Sequence, residues 1–178
     1  MKIRIIDIAE KERVLTAEEP AAVFPPLLAA EESGDCRFLS PIRSELTVTH
    51  ECDHIRAHGR VEATVELACS RCLAEFSATL RSAFTIFYTE AGPEPQDEEV
   101  ELAEEDLISV PYRGDEIDFA PEIAEQLMLE IPFKPLCRET CAGLCPTCGA
   151  DMNTSPCDCP RQSIHLGLSA LHQFTGKK

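Results

Sequence analysis

Ten cysteines dominate the chemistry open to this 178-residue chain, at positions 36, 52, 69, 72, 137, 141, 145, 148, 157 and 159. Two stand alone and eight fall in tight groups. Thiolates are strong ligands for Zn2+, and four of them close a tetrahedral site with no position left open for a substrate. Cys145-x2-Cys148 followed by Cys157-x-Cys159 supplies such a set. Pro146 inside the first pair and Gly149 behind it favour a tight turn that aims both sulfurs at one ion. The loop 151–156 can fold the second pair back. The pattern is that of structural zinc.

Cys69-x2-Cys72 and Cys137-x3-Cys141 remain. The first pair falls at the tip of an expected hairpin, with Ser70-Arg71 between, and the second follows a helix stopped by Pro132 and Pro135. Together they make a second four-thiolate site, a long-range clip pinning the tail to a sheet. Two Zn2+ per chain, both structural, are therefore expected. The spacing leaves two rival arrangements open: a Cys69/Cys72 redox pair, or a site drawn from Cys137, Cys141, Cys145 and Cys148. Cys36 and Cys52 read as plain small residues.

His50-Glu51-Cys52-Asp53-His54 matches the H-E-x-x-H string of zinc metallohydrolases. That chemistry needs a helix, which brings both imidazoles to one ion and lets the Glu activate water. Here the segment continues an alternating strand, Asp53-His54 reads as its turn, and Gly59 follows His58. A coincidental hairpin is expected and no catalytic residue is assigned. No phosphate-binding glycine loop or nucleophile elbow is present.

These residues must be held by something. Ile42, Leu46 and Val48 alternate with polar neighbours, as do Val61, Ala63, Val65 and Leu67, then Phe76, Ala78, Leu80, Phe84, Ile86 and Tyr88. Period two over three successive segments predicts an antiparallel meander with one face buried. Ala120, Ile123, Ala124, Leu127, Met128 and Ile131 recur at helical spacing, with Pro121 in the first turn and Pro132 as the stop. The fold class expected is α+β: a meander packed on one main amphipathic helix, with a four-cysteine zinc knuckle and a short terminal helix. Met1 to Ile8 reads as a short strand, and residues 9–40 as loop with one helical turn. Short strands Leu107–Tyr112 and Ile117–Phe119 are expected around the Arg113-Gly114-Asp115 turn. In domain terms, 1–136 is the core with an acidic loop at 91–105, 137–160 the zinc-binding segment and 161–178 a C-terminal helix or tail.

Composition bounds the function. Hydrophobic residues at 44% and charged residues at 27% describe an ordinary globular chain, large enough to bury roughly two thirds of its unfolded surface. The formal charge of −16 would repel a phosphate backbone, so a broad basic nucleic-acid face is excluded. From Lys134 onward five basic residues face three acidic ones, a surplus of +2, which leaves −18 on the residues before. Only the cysteine-rich tail would not repel RNA. No apolar run approaches the ~20 residues of a membrane span, and the N-terminus is too polar for a signal peptide, so a cytoplasmic protein without membrane contact is expected.

Leu67-Ala-Cys-Ser-Arg-Cys-Leu73, Glu125-Gln-Leu-Met-Leu-Glu-Ile-Pro132-Phe-Lys-Pro-Leu-Cys137 and Gly143-Leu-Cys-Pro-Thr-Cys-Gly149-Ala-Asp-Met-Asn153 stand in one order along the chain. In these strings the sequence resembles the bacterial YceD family. The resemblance implies a role in accumulation of large-subunit (23S) ribosomal RNA, and no catalytic activity. The tail departs from the family's frequent Asp-Pro-Arg, reading His165-Leu166-Gly167, but keeps apolar spacing at Leu168, Leu171 and Phe174. An rRNA-linked protein at −16 is best reconciled as one that binds a basic ribosomal protein or large-subunit assembly factor. The alternatives are a zinc-stabilised nucleic-acid module acting through the tail, and a metallohydrolase or thiol redox protein.

Overall fold

The computed structural model describes residues 1–8, 11–52, 54–92, 109–155 and 157–159. The acidic stretch from 93, the end of the 151–156 loop at Pro156 and the 161–178 tail, with the expectations attached to them, lie outside the described residues.

The central sheet grows from the alternating segments. Strands β4 (Ile42–Glu51), β5 (His54–Ala68) and β6 (Glu75–Glu90) form the expected antiparallel meander. Ile42, Leu46, Val48, Ile55, Ala57, Val61, Ala63, Val65, Leu67, Leu80, Phe84 and Tyr88 point to the buried face. Helix α2 (Ala120–Glu130) lies on that face and buries Ile123, Ala124 and Leu127, with Pro121 in its first turn. The architecture is α+β.

The N-terminal third is more structured than expected. Residues 9–40 contain strand β2 (Arg13–Glu19), helix α1 (Pro25–Ser33) and the short β3 (Arg37–Phe38). So a second helix, α1, joins α2 on the core. β2 is an edge strand with only Leu15 and Ala17 as inward apolar residues, so its alternation is faint. In α1, Pro25-Pro26 suggested a loop, yet proline is at home in a helix's first turn. Leu27 and Ala30 are buried while Leu28 and Ala29 face out, which blurs the amphipathic stripe. Gly34 ends α1 at φ 81°.

The sheet is mixed. Its order is β2-β4-β5-β6-β7, with β3 beside β5 beyond the end of β4, and β7 (Ser109–Tyr112) runs parallel to β6. β8 (Glu116–Asp118) does not return against β7: Gly114, at φ 84°, turns it away to pair with β1 (Lys2–Arg4). Only Lys2–Arg4 of the expected N-terminal strand is extended, and Ile5–Asp7 form a 3-10 turn.

The open face of the sheet is charged. One row crosses four strands as Glu18, Arg43, Glu62 and Arg81, alternating in sign. Arg81 Nε reaches Glu62 at 2.8 Å and Arg43 Nε reaches Glu18 at 3.4 Å. Such cross-strand pairs fix register more than they add stability. Among the described residues no helix is long and apolar enough to cross a membrane.

Candidate metal centres

The turn from β5 to β6 is the first half of a site. Cys69-Ser-Arg-Cys72-Leu73-Ala74 closes with Leu73 N donating to Cys69 O at 2.9 Å and Cys69 N to Ala74 O at 2.9 Å. Cys145-Pro-Thr-Cys148-Gly149-Ala150 repeats it: Gly149 N donates to Cys145 O at 2.9 Å and Cys145 N to Ala150 O at 2.8 Å. Leu73 and Gly149 hold the same left-handed position, φ 61° and 73°. The two C-x2-C turns are one structure built twice. Both strings end in x-Ala after the second cysteine, a shared signal that cysteine spacing alone passes over.

The turns meet partners from elsewhere in the chain. Past α2, Pro132 ends the helix and Ser70 N donates to Pro135 O at 2.8 Å, which lays residues 135–141 against the hairpin tip. The sulfurs of Cys69, Cys72, Cys137 and Cys141 then lie within 4.8 Å of one another. Those of Cys145, Cys148, Cys157 and Cys159 do the same. The eight thiols named from spacing are thus gathered as two groups of four. In the first group the close contacts cross between segments: Cys69 to Cys141 at 3.8 Å and Cys72 to Cys137 at 3.7 Å. That is too long for a disulfide, whose sulfurs stand about 2.05 Å apart. It matches the about 3.8 Å edge of a tetrahedron with 2.3 Å zinc–sulfur bonds.

Within each cluster the thiols are pushed in opposite directions. Cys69 is pulled down to about 6, chiefly by the Cys137 and Cys72 backbone amides, and Cys145 to about 6 by the Cys148 and Thr147 amides. Burial opposes ionisation of Cys141, but the Asn153 side chain and the Gly143 amide outweigh it, and its value falls. At the other extreme, burial and the surrounding sulfurs push Cys137 up to about 12, and Cys148 and Cys157 push Cys159 up to about 12. In the first cluster Cys69 and Cys141 thus ionise more readily while Cys137 resists, and in the second Cys145 ionises more readily while Cys159 resists. Four thiolates at this spacing repel, and a divalent cation removes the repulsion. The donor set fits Zn2+.

Arg71, inside the first turn, donates Nη1 to Cys141 O at 2.7 Å, and its carbonyl accepts Leu144 N at 2.9 Å. Arg138 donates Nη2 to Asn153 Oδ1 at 2.8 Å. These roles were invisible in the sequence because they depend on how the two turns abut. Cys36 is buried in the core and Cys52 is exposed, both apart from the clusters.

The His50–His54 string lies on β4 and β5, not on a helix. Glu51 pairs with His54 and His50 with Ile55, so the two imidazoles leave opposite faces of the sheet. Glu51 bonds His54 Nε2 at 2.9 Å and Arg56 at 2.6 Å.

A one-sided sheet under two helices carries two compact four-thiol clusters, each of which could hold a metal ion. The chain belongs to the YceD family: the model described as large ribosomal RNA subunit accumulation protein YceD matches residues 57–175, which include both clusters. Similar proteins include the chloroplastic homologue 1 of large ribosomal RNA subunit accumulation protein YCED from Arabidopsis thaliana, 28% identical over 153 residues, covering 74% of this chain and 48% of that one. The Zea mays counterpart is 28% identical over 158 residues, covering 74% and 53%. An uncharacterized Mycobacterium bovis protein is 28% identical over 141 residues, covering 79% and 63%. The chain spans about half the length of the plant relatives it matches. No solved structure matches it.

Proposed function

We propose that this chain supports accumulation of large-subunit (23S) ribosomal RNA as a non-catalytic factor that binds a basic ribosomal protein or assembly factor. The family match across residues 57–175 carries this reading. The charge of −16 favours a basic protein over bare RNA, and steering by such a field weakens in salt. Two basic residues near the clusters, Arg71 and Arg138, are spent on internal hydrogen bonds, which leaves less for phosphate. Reduced thiols suit a cytoplasmic setting in bacteria, while the plant relatives are named chloroplastic.

In this reading Zn2+ is structural at both clusters, with Cys69, Cys72, Cys137 and Cys141 as one ligand set and Cys145, Cys148, Cys157 and Cys159 as the other. Elemental analysis of purified protein should find close to two zinc per chain; a value near one removes a site, and near zero removes both. Cells depleted of the chain should show a lowered ratio of 23S to 16S RNA, restored by the intact gene and by Glu51→Gln. An unchanged ratio defeats the rRNA role, and failure of Glu51→Gln alone to restore it reopens the metallohydrolase alternative. Capture at two salt concentrations should retain a basic large-subunit protein only at the lower; salt-sensitive binding to homopolymeric RNA would favour the nucleic-acid alternative.

A further inference from the structure

Asn153 lies in the turn between the two halves of the second cluster, after Cys145 and Cys148 and before Cys157 and Cys159, yet its side chain serves the first cluster. Nδ2 donates to Cys141 Sγ at 3.4 Å and to Asp151 Oδ1 at 2.7 Å. Oδ1 accepts the Ala142 amide at 2.8 Å and Arg138 Nη2 at 2.8 Å. This leaves no freedom to flip the amide. Reversed, it would set an acceptor against a sulfur anion and a carboxylate, and two donors against donors. The backbone strengthens the same junction: Leu144 N donates to Arg71 O at 2.9 Å, and Met152 N to Gly143 O at 2.9 Å.

We infer that the two thiol clusters bind metal cooperatively, with Asn153 as the positioning residue that couples them. The inference rests on the reading that both clusters are metal sites. A metal held by Cys145, Cys148, Cys157 and Cys159 anchors both ends of the turn that carries Asn153. The Asp151 side chain then orders the middle, accepting Asn153 N at 2.9 Å. The amide is thereby presented to Cys141 before the first cluster fills. A hydrogen bond to a ligating sulfur holds it as thiolate and fixes its direction, and losing such an outer partner lowers metal affinity roughly 10- to 100-fold. Coupling is reciprocal by linkage, so metal at the first cluster, which fixes Cys141 and the chain leading to Gly143, must tighten the second by the same factor.

The test uses the full chain and Co2+ as probe, reading thiolate-to-cobalt absorption under chelator competition and the number of bound ions by native mass spectrometry. Cys148→Ser, which breaks the second cluster, should leave one high-affinity ion and weaken it roughly tenfold or more relative to the parent. Asn153→Asp keeps the shape and both acceptor contacts but loses the donor to Cys141, and should weaken the first cluster by a similar factor. Asn153→Ala checks the same loss without added charge. Combined with either Asn153 change, Cys148→Ser should cost little more. Far-ultraviolet circular dichroism confirms that the sheet persists in each variant. If Cys148→Ser binds its remaining ion with parental affinity, or neither Asn153 variant shifts it, the coupling is overturned and the two metal sites stand as independent. A parent chain that takes up no cobalt overturns the inference and the metal reading together.

Discussion

Gly143 and Gly149 both hold a positive φ, 76° and 73°, but only one is crowded. A Cβ on Gly143 would sit 2.9 Å from the Arg71 carbonyl oxygen, which already accepts Leu144 N, whereas nothing lies within 4 Å of one on Gly149. Leu73 tolerates the position equivalent to Gly149. Gly149→Ala should therefore cost only the left-handed strain, about 1–2 kcal/mol. Gly143→Ala should cost that and also loosen the tail from the hairpin tip, lowering retention of metal by the first cluster. Denaturant melts with zinc present would compare them, and equal costs would show that the Arg71 contact is unimportant. Glu122 offers a test in pH. Burial pushes its carboxyl above the ordinary range, outweighing the nearby Tyr88 hydroxyl, which favours the ionised form. An acid raised in the folded state costs nothing while both states are protonated, and destabilises increasingly as pH climbs from the unfolded value through the folded one. Glu122→Gln should thus melt higher than the parent at neutral pH and lose that advantage on acidification. Taking the difference at each pH cancels the shared loss of metal, and a constant difference would sink the assignment.

Strands β4, β5 and β6 were legible because each buries one face over many residues, so their apolar alternation is long and regular. β2 and α1 were not, since an edge strand needs few inward apolar residues and α1 carries apolar residues on both faces. The turn away from β7 could not be read either, because Gly114 permits a reversal without dictating which strand β8 joins. The thiol groupings followed from spacing in outline, while Arg71 and Asn153 act across contacts that no local pattern encodes. Gly59 shows both sides. In the sequence it only weakens a helix, but in β5 its bare backbone faces the Phe84 ring, where a Cβ would meet Cζ at 2.4 Å and Leu46 Cδ2 at 2.8 Å. The ring fills the space a side chain would take. Gly59→Ala should destabilise by about 1–3 kcal/mol through overpacking. Adding Phe84→Leu should recover part of that loss. Strict additivity of the two changes in denaturant melts would show that the ring is not what the methyl meets.

Across the whole molecule the two clusters have different reach. The first joins the β5–β6 hairpin tip to the chain beyond α2, bridging Cys72 and Cys137, 65 positions apart. Closing so long a loop removes more freedom from the unfolded chain than closing a short one. The second closes only residues 145–159, where Met152, with Leu144 just before the span, is the large apolar side chain and the Leu144–Asp151 bridge is the main backbone pairing. Structural zinc contributes about 10–16 kcal/mol in small finger peptides, as much as a whole domain's stability, so this knuckle should depend on metal outright. The sheet and its helices own a continuous apolar core that reaches neither cluster's sulfurs, and they should survive without it. In saturating zinc, Cys148→Ser should therefore abolish hydrogen-exchange protection in the knuckle while residues 42–68 and α2 keep theirs. Cys72→Ser should release residues 135–155 from the hairpin tip and lower the global melting temperature. An unchanged melting temperature in Cys72→Ser would show that the clip does not hold tail to sheet. Lost protection along Val61–Leu67 in Cys148→Ser would show that the fold depends on the knuckle and not on the clip.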